Sequence, residues 1–242
     1  KPKVGLKPDT PAFDAAAAII SAHLPVARAN EEGIVADHDS EFLHDYRVAL
    51  RKIRSVLSLF KGVYAPEQEA ELKARFSALM SVTGTLRDLD VYLIDRPQYE
   101  AMVPEALRPG VVLLFEHFAR RRRRAHRALV RHLQGETYGE EIAGLEHLFA
   151  KPRKRLAAGP EADHPAMDYA RGLIRKRYRK VRRIARAIHA DTPDAEVHEL
   201  RIQCKKLRYL MEFFAPLFGE AEMKRLIKAM KRLQENLGTF ND

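Results

Sequence analysis

The chain has 242 residues, 46% of them hydrophobic, enough for a core in one large domain or two smaller ones. Forty-three Lys and Arg stand against 33 Asp and Glu, and the net charge of +10 favours a polyanionic partner: nucleic acid, an acidic membrane or a phosphate polymer. No run of about 18 apolar residues is present, so no membrane-spanning helix is expected, and the single cysteine, Cys204, excludes an intrachain disulfide and fits a reducing cytoplasm.

The opening "KPKVGLKPDTPAF" has no initiator Met and no apolar signal core, and reads as the start of a piece cut from a longer protein. Residues 1–7 are taken as a linker or the remnant of an upstream domain. Beyond them, apolar residues at spacings of three and four predict helices over roughly 11–30, 40–61, 66–83, 86–96, 108–134, 137–150, 164–190, 194–215 and 220–237. Strand-like alternation is scarce, so the predicted fold class is all-α. Pro66 suits a first turn, and Gly62 and Gly219 fall just past helix ends. Pro25 is expected to kink or stop the first helix. Pro97 and Pro104 bracket an expected loop, and "KPRKRLAAGPEADHP" at 151–165 reads as a linker.

Two segments repeat each other. "HDYRVALRKIRSVLSLF" at 44–60 aligns with "HELRIQCKKLRYLMEFF" at 198–214, at a constant offset of 154. His44 meets His198, Arg47 meets Arg201, Lys52 meets Lys206, Arg54 meets Arg208 and Phe60 meets Phe214, while Arg51 meets Lys205. The register continues through Leu72 with Leu226, Leu79 with Leu233, and "GTLRD" at 84–88 with "GTFND" at 238–242. From His44 to Asp88, 10 of 45 positions are identical. Upstream, "PAFDAAAAII" at 11–20 meets "PAMDYARGLI" at 165–174 in the same register. One register held over about 75 residues points to an internal duplication. Repeat one is placed at about 8–161 and repeat two at about 162–242. The first copy runs on for two or three helices that the second lacks, so the second repeat is expected to be C-terminally incomplete.

The repeated helix has an unusual polar face. With His44 at zero and about 100° per residue, Arg47 falls at about 300°, Arg51 at about 340° and Arg54 at about 280°. Leu43, Tyr46, Leu50, Ile53, Leu57 and Phe60 fall at about 160–260°, so the cations form a stripe directly beside the core stripe. The second copy sets His198, Arg201, Lys205 and Arg208 against Leu200, Cys204, Leu207, Met211 and Phe214. Lys52 and Lys206 lie off the stripe. Like charges three and four apart repel by a few tenths of a kcal/mol per pair, roughly. No acid stands between the cations of either stripe; Glu212, a turn beyond Arg208, is the one acid on the second. A face that keeps acids out in both copies suits a bound anion, and guanidinium forks suit phosphate oxygens. The histidine adds a titratable donor.

Other features carry less. Arg175, Arg179, Arg182 and Arg186 share a face of the basic segment 171–186, and Arg182 aligns with Arg28. That face extends the anion surface or is merely solvated. Five successive arginines at 120–124 must go all round a helix, so most of them face solvent. His44-Asp45 lacks the further His and Asp ligands a metal phosphohydrolase needs. Asp88 and Asp90 read as a helix N-cap and dipole partner. Cys204, on the core face, reads as a packed thiol.

The two motif helices resemble the CHAD family, the conserved-histidine α-helical domain, whose core helix reads roughly His, two residues, Arg, then "RVxxRRLRxxLxxF". "LRDLD" at 86–90 looks like a family turn, and "LQENLGTFND" at 233–242 looks like its second-half partner. The likeness covers the chain from about residue 8. It implies an internally duplicated all-α fold of two pseudo-symmetric antiparallel bundles with a basic central cleft or pore. It also implies non-catalytic binding of inorganic polyphosphate, with no cofactor and no metal. Carried over, the ligand stripe is His44, Arg47, Arg51 and Arg54 with His198, Arg201, Lys205 and Arg208. Lys52 and Lys206, off the stripe, join the candidate polyphosphate-binding set, and the basic face of 171–186 adds Arg175, Arg179 and Arg182, with Arg28 by alignment, as further candidates. Lys205 departs from the family arginine, and "FND" at 240–242 lacks the arginine of the first copy. The start "KPKVGLKPDTPAFDAA" looks like the junction after a triphosphate-tunnel domain, which in a parent protein could be an enzyme. A cytoplasmic protein, targeted to polyphosphate granules, is the expected setting. Sequence-independent nucleic-acid binding is the rival reading, less favoured because most Phe and Tyr fall on apolar faces. A helical scaffold for an acidic protein is the third.

Overall fold

The structure, a computed structural model, describes residues 2–241, with side chains as far as Gly238. Twelve α-helices are present among the described residues: α1 (Ala12–Arg28), α2 (Glu31–Val35), α3 (Ser40–Leu59), α4 (Pro66–Ser81), α5 (Gly84–Ile94), α6 (Arg96–Met102), α7 (Arg108–Leu133), α8 (Glu136–Ala150), α9 (Pro152–Arg155), α10 (Ala166–Ala187), α11 (Asp194–Phe213) and α12 (Glu220–Asn241). Single 3-10 turns lie at Glu105–Leu107 and Ala215–Leu217. No helix is long and apolar enough to cross a membrane among these residues. The all-α expectation holds.

Local chemistry sets the helix starts. Asp39 Oδ1 accepts the backbone N–H of Glu41 at 2.9 Å, which satisfies one of the orphan donors at the start of α3. Pro66 opens α4, where its missing N–H costs nothing. Pro25 neither stops α1 nor ends it early; the helix runs on to Arg28.

Four expectations need correction. Residues 31–35 form the short helix α2, which lies under the length at which periodicity is readable. Pro97 does not open a loop; it sits in the first turn of α6, where proline is tolerated. Asp88 and Asp90 are not caps, because α5 begins at Gly84 and places both inside the helix. The segment 151–165 is no free linker. Its backbone is tied by Ala12 N–H to His164 O at 2.8 Å, Ala65 N–H to Ala157 O at 2.9 Å and Gly159 N–H to Val63 O at 2.9 Å. Leu156 and Ala162 within it are buried. Gly159 is required there, since a Cβ would collide with the carbonyl oxygens of Gly62 and Tyr64. Gly62 itself turns at φ 75°, a region that favours glycine.

The chain forms two compact units. One gathers the stretch up to Ala22, Arg54–Leu72 and the stretch from Pro152 onward; the other is His23–Ile53 with Lys73–Lys151. In the first, Phe60 stacks on Phe214 with ring centroids 4.8 Å apart and meets Tyr169 edge-on at 5.9 Å. A neighbouring cluster of Val181, Leu200, Cys204, Leu207, Met211 and Met223 forms where α10 and α12 pack on α11. In the second unit, α8 buries Tyr138, Ile142, Leu145 and Phe149, at spacings of four and three. The Tyr138 hydroxyl lies 3.2 Å from that of Tyr46 and donates to Glu31 at 2.5 Å. Burial pushes the Tyr46 phenol up to about 12.

Candidate polyanion-binding helices

The core stripes of both motif helices fall where the sequence puts them. Leu43, Tyr46, Leu50, Ile53, Leu57 and Phe60 are buried, as are Leu200, Cys204, Leu207, Met211 and Phe214. Cys204 is a free thiol that burial pushes up to about 11, so it is packed and unreactive. Beside the apolar stripe of α3, the side chains of His44, Arg47, Arg51, Lys52 and Arg54 are half-buried. On α11, Arg201, Lys205, Lys206 and Arg208 are half-buried and His198 is exposed. Such positions keep an aliphatic stem on the core and a charged head at the surface.

The cations differ in their engagements. Arg47 donates to Thr83 Oγ1 at 2.5 Å and, more weakly, to the Met80 carbonyl at 3.4 Å, while the buried Thr83 hydroxyl donates to Met80 O at 2.6 Å. Arg47 therefore pins the turn between α4 and α5. Arg201 occupies the aligned position on α11, and its guanidinium lies against Gly238, where a Cβ would come within 3.3 Å of Nη2. Arg208 donates to the buried Glu212 carboxylate at 2.8 Å, and its Nε is buried with no hydrogen-bond partner among the described residues. Arg208 and Lys205 both lie over the Tyr209 ring, at 5.1 Å and 6.0 Å from its centroid. The comparison of "FND" at 240–242 with the first copy lies outside the described side chains.

Of the further candidates, Arg28 is held by Glu146 at 3.1 Å and Glu31 at 3.4 Å. Arg175, Arg179 and Arg182 are exposed on the outer side of α10. The inner side of α10 is a polar seam that sequence reading missed: Arg177 donates to the buried Gln203, and Gln203 and Lys180 both donate to Glu199, at 2.7 and 3.1 Å. These hydrogen bonds, Lys180 first, hold the Glu199 carboxyl below its ordinary range, and burial holds Arg177 below its own.

A second missed network lies in the other unit. Of the five arginines at 120–124, Arg122 turns inward and donates to Asp90 at 2.8 Å and to both oxygens of Asp37 at 2.6 Å. Hydrogen bonding from Arg122 holds Asp37 below the usual carboxylate range. Burial raises Asp90 despite the same partner. His126 Nε2 lies 2.7 Å from the Ile34 carbonyl. The signal was present: Phe115, Arg122, His126 and Leu129 are spaced seven, four and three apart, one face of α7.

A cavity of about 530 Å³ in the first unit is lined by Lys61, His164, Lys176, Glu161, Asp168 and Tyr169, among others, and holds none of the motif residues. Among the described residues no three His, Cys, Asp or Glu side chains gather as a metal site.

The structure is similar to known ones over its whole length. It superimposes on the crystal structure of the CHAD domain from the plant Ricinus communis with a TM-score of 0.76 and 25% identity, covering 100% of this chain and 80% of that one. PptA from Streptomyces chartreusis shares the fold at a TM-score of 0.63 and 14% identity, over 95% of this chain and 85% of its own. Two uncharacterized proteins of Mycobacterium tuberculosis, MT2285 and Rv2226, are each 30% identical over 178 residues, 69% of this chain. The chain spans about a third of the length of these curated relatives, 33% of each. The profile of the CHAD domain matches residues 18–242, and with the motif histidines and arginines set on two helices of an all-α fold, the chain belongs to the CHAD family.

Proposed function

We propose that this domain captures inorganic polyphosphate without catalysis, through the basic faces of α3 and α11. The observation that carries the reading is the one-signed stripe on α3: His44, Arg47, Arg51 and Arg54 stand half-buried at spacings of three and four, with no acid between them on that face. Half-buried guanidinium groups are partly desolvated, so their attraction for phosphate oxygens is less screened than at a fully exposed face. α11 carries the aligned set His198, Arg201, Lys205 and Arg208, with Lys52 and Lys206 beside the two stripes. Arg208 is also bound to Glu212 and Arg47 to Thr83, so these two share ligand duty with a structural one. A thin polymer with charge on every unit and no bases fits such stripes. In a longer parent protein the domain would hold that protein on polyphosphate granules in the cytoplasm, or supply polymer to a linked domain.

The test is competition among long-chain polyphosphate, triphosphate, heparin and duplex DNA for the chain at moderate salt. Long-chain polyphosphate is expected to bind most tightly and triphosphate far more weakly, since only the polymer spans a whole stripe. Equal or tighter binding of duplex DNA would overturn the reading in favour of sequence-independent nucleic-acid binding.

A further inference from the structure

The two motif helices align residue for residue, yet they differ one turn beyond the last arginine. In the first copy Arg54 is followed four residues later by Ser58, which is exposed. In the second copy the aligned pair is Arg208 and Glu212. Arg208 Nη1 donates to Glu212 Oε1 at 2.8 Å, and the glutamate side chain is 6% exposed against 18% for the arginine. Arg54 forms no ion pair among the described residues. All four residues lie in the first unit.

An exposed pair at this spacing would be weak, because water screens it. Burial removes much of that screening. The Glu212 carboxylate therefore grips the guanidinium more firmly, and it sets a negative charge on the stripe where a phosphate would set its own. Arg208 is also confined by its neighbour: its guanidinium carbon lies 5.1 Å from the centroid of the Tyr209 ring. The other aligned positions differ in the same sense. Lys205 stands where the first copy has Arg51, and an ammonium lacks the planar fork that holds a phosphate through two hydrogen bonds. His198 is exposed, whereas His44 is half-buried.

We propose that Glu212 is an internal competitor of polyphosphate: it occupies Arg208 in the free domain, and a phosphate chain gains that guanidinium by displacing it. The α11 stripe is therefore the weaker of the two, and Ser58 is what leaves the end of the α3 stripe open. The inference rests on the polyphosphate reading of the motif helices. A carboxylate that merely aimed Arg208 at its ligand would act in the opposite direction. Removing an aiming group weakens binding, whereas removing a competitor strengthens it.

Glu212→Gln keeps the size of the side chain and removes its charge. Glu140→Gln, at an exposed position of α8, makes the same change in net charge outside both motif helices. In isotherms with long-chain polyphosphate, Glu212→Gln is expected to bind at least about threefold more tightly than Glu140→Gln. By analogy with single-stranded nucleic acid, its slope of log affinity against log salt is expected to steepen by about 0.7, the signature of one further phosphate contact. Ser58→Glu makes the reverse change at an exposed position. It is expected to weaken binding at least about threefold relative to Ser58→Gln, with a slope flatter by about 0.7. Circular dichroism melts show which variants are folded, and Ser58→Glu carries the test where Glu212→Gln does not fold. Binding by folded Glu212→Gln that is equal to or weaker than that of Glu140→Gln overturns the inference, and so does Ser58→Glu binding like Ser58→Gln. In either case the parent chain still binds polyphosphate, and only the role of Glu212 is lost. A parent chain that binds no polyphosphate overturns the reading of the motif helices and this inference with it.

Discussion

Arg47 stands where a proposed and an observed duty meet, and a helical wheel cannot separate them. Its place at the edge of the core stripe sets it among the cations proposed to hold polyphosphate, and its length lets Nη1 reach Thr83 and Met80 across the turn between α4 and α5. Arg54 stands on the same face of the same helix with no such anchor among the described residues. Replacing each by methionine keeps the aliphatic stem and removes the charge. Arg47→Met strands a buried hydroxyl acceptor and is expected to cost about 1–3 kcal/mol of stability. Arg54→Met is expected to stay within about 0.5 kcal/mol while weakening polyphosphate binding. Urea midpoints and binding isotherms on the two variants check this; equal stability losses would show that the Thr83 anchor contributes nothing. The site was legible in sequence at the level of which side chains share a face, because spacing fixes angle. It was not legible that Arg47 is spoken for, because its partners Thr83 and Met80 are set by tertiary packing. Glu212 was visible as an acid on the stripe, and its pairing with Arg208 follows from i, i+4 geometry.

At the scale of elements, long amphipathic helices were readable and short ones were not. α3, α7, α10 and α11 have several turns over which apolar spacing can repeat, whereas α2 and α6 have five and seven residues, too few to establish a period. The arginine run in α7 shows the other way that pattern fails. Five identical residues have no period of their own, so the inward member is marked only by the apolar residues on either side, Phe115 and Leu129. That placement predicts a sharp asymmetry. Arg122→Ala leaves the Asp90 carboxylate buried without its partner and is expected to destabilise the chain by about 3–5 kcal/mol. Arg123→Ala, one residue on and exposed, is expected to change stability by less than about 0.5 kcal/mol. Thermal or urea unfolding of the two variants checks the difference. Matched effects would mean that Arg122 is solvated like its neighbours.

At the scale of the whole molecule, a net charge of +10 attracts any polyanion, and the motif hypothesis must be separated from that background. Two triple variants do so at identical net charge. Arg121→Gln, Arg123→Gln and Arg124→Gln remove three exposed charges from α7. Arg54→Gln, Arg201→Gln and Lys205→Gln remove three from the motif helices. Both bring the net charge from +10 to +7. If long-range attraction alone held polyphosphate, the two would lose affinity equally and bind alike at every salt concentration. Direct contacts change this, because each neutralised phosphate releases a condensed counterion. By analogy with single-stranded nucleic acid, the slope of log affinity against log salt then falls by about 0.7 for each lost contact. The motif variant is therefore expected to lose more affinity and to show a slope shallower by roughly two units. Once the Debye length falls below about 10 Å, the α7 variant should match the parent in affinity and slope, its modest loss being confined to lower salt. Isotherms at four or five salt concentrations distinguish the two cases. Indistinguishable slopes would mean that net charge, rather than the paired His and Arg helices, holds the polymer.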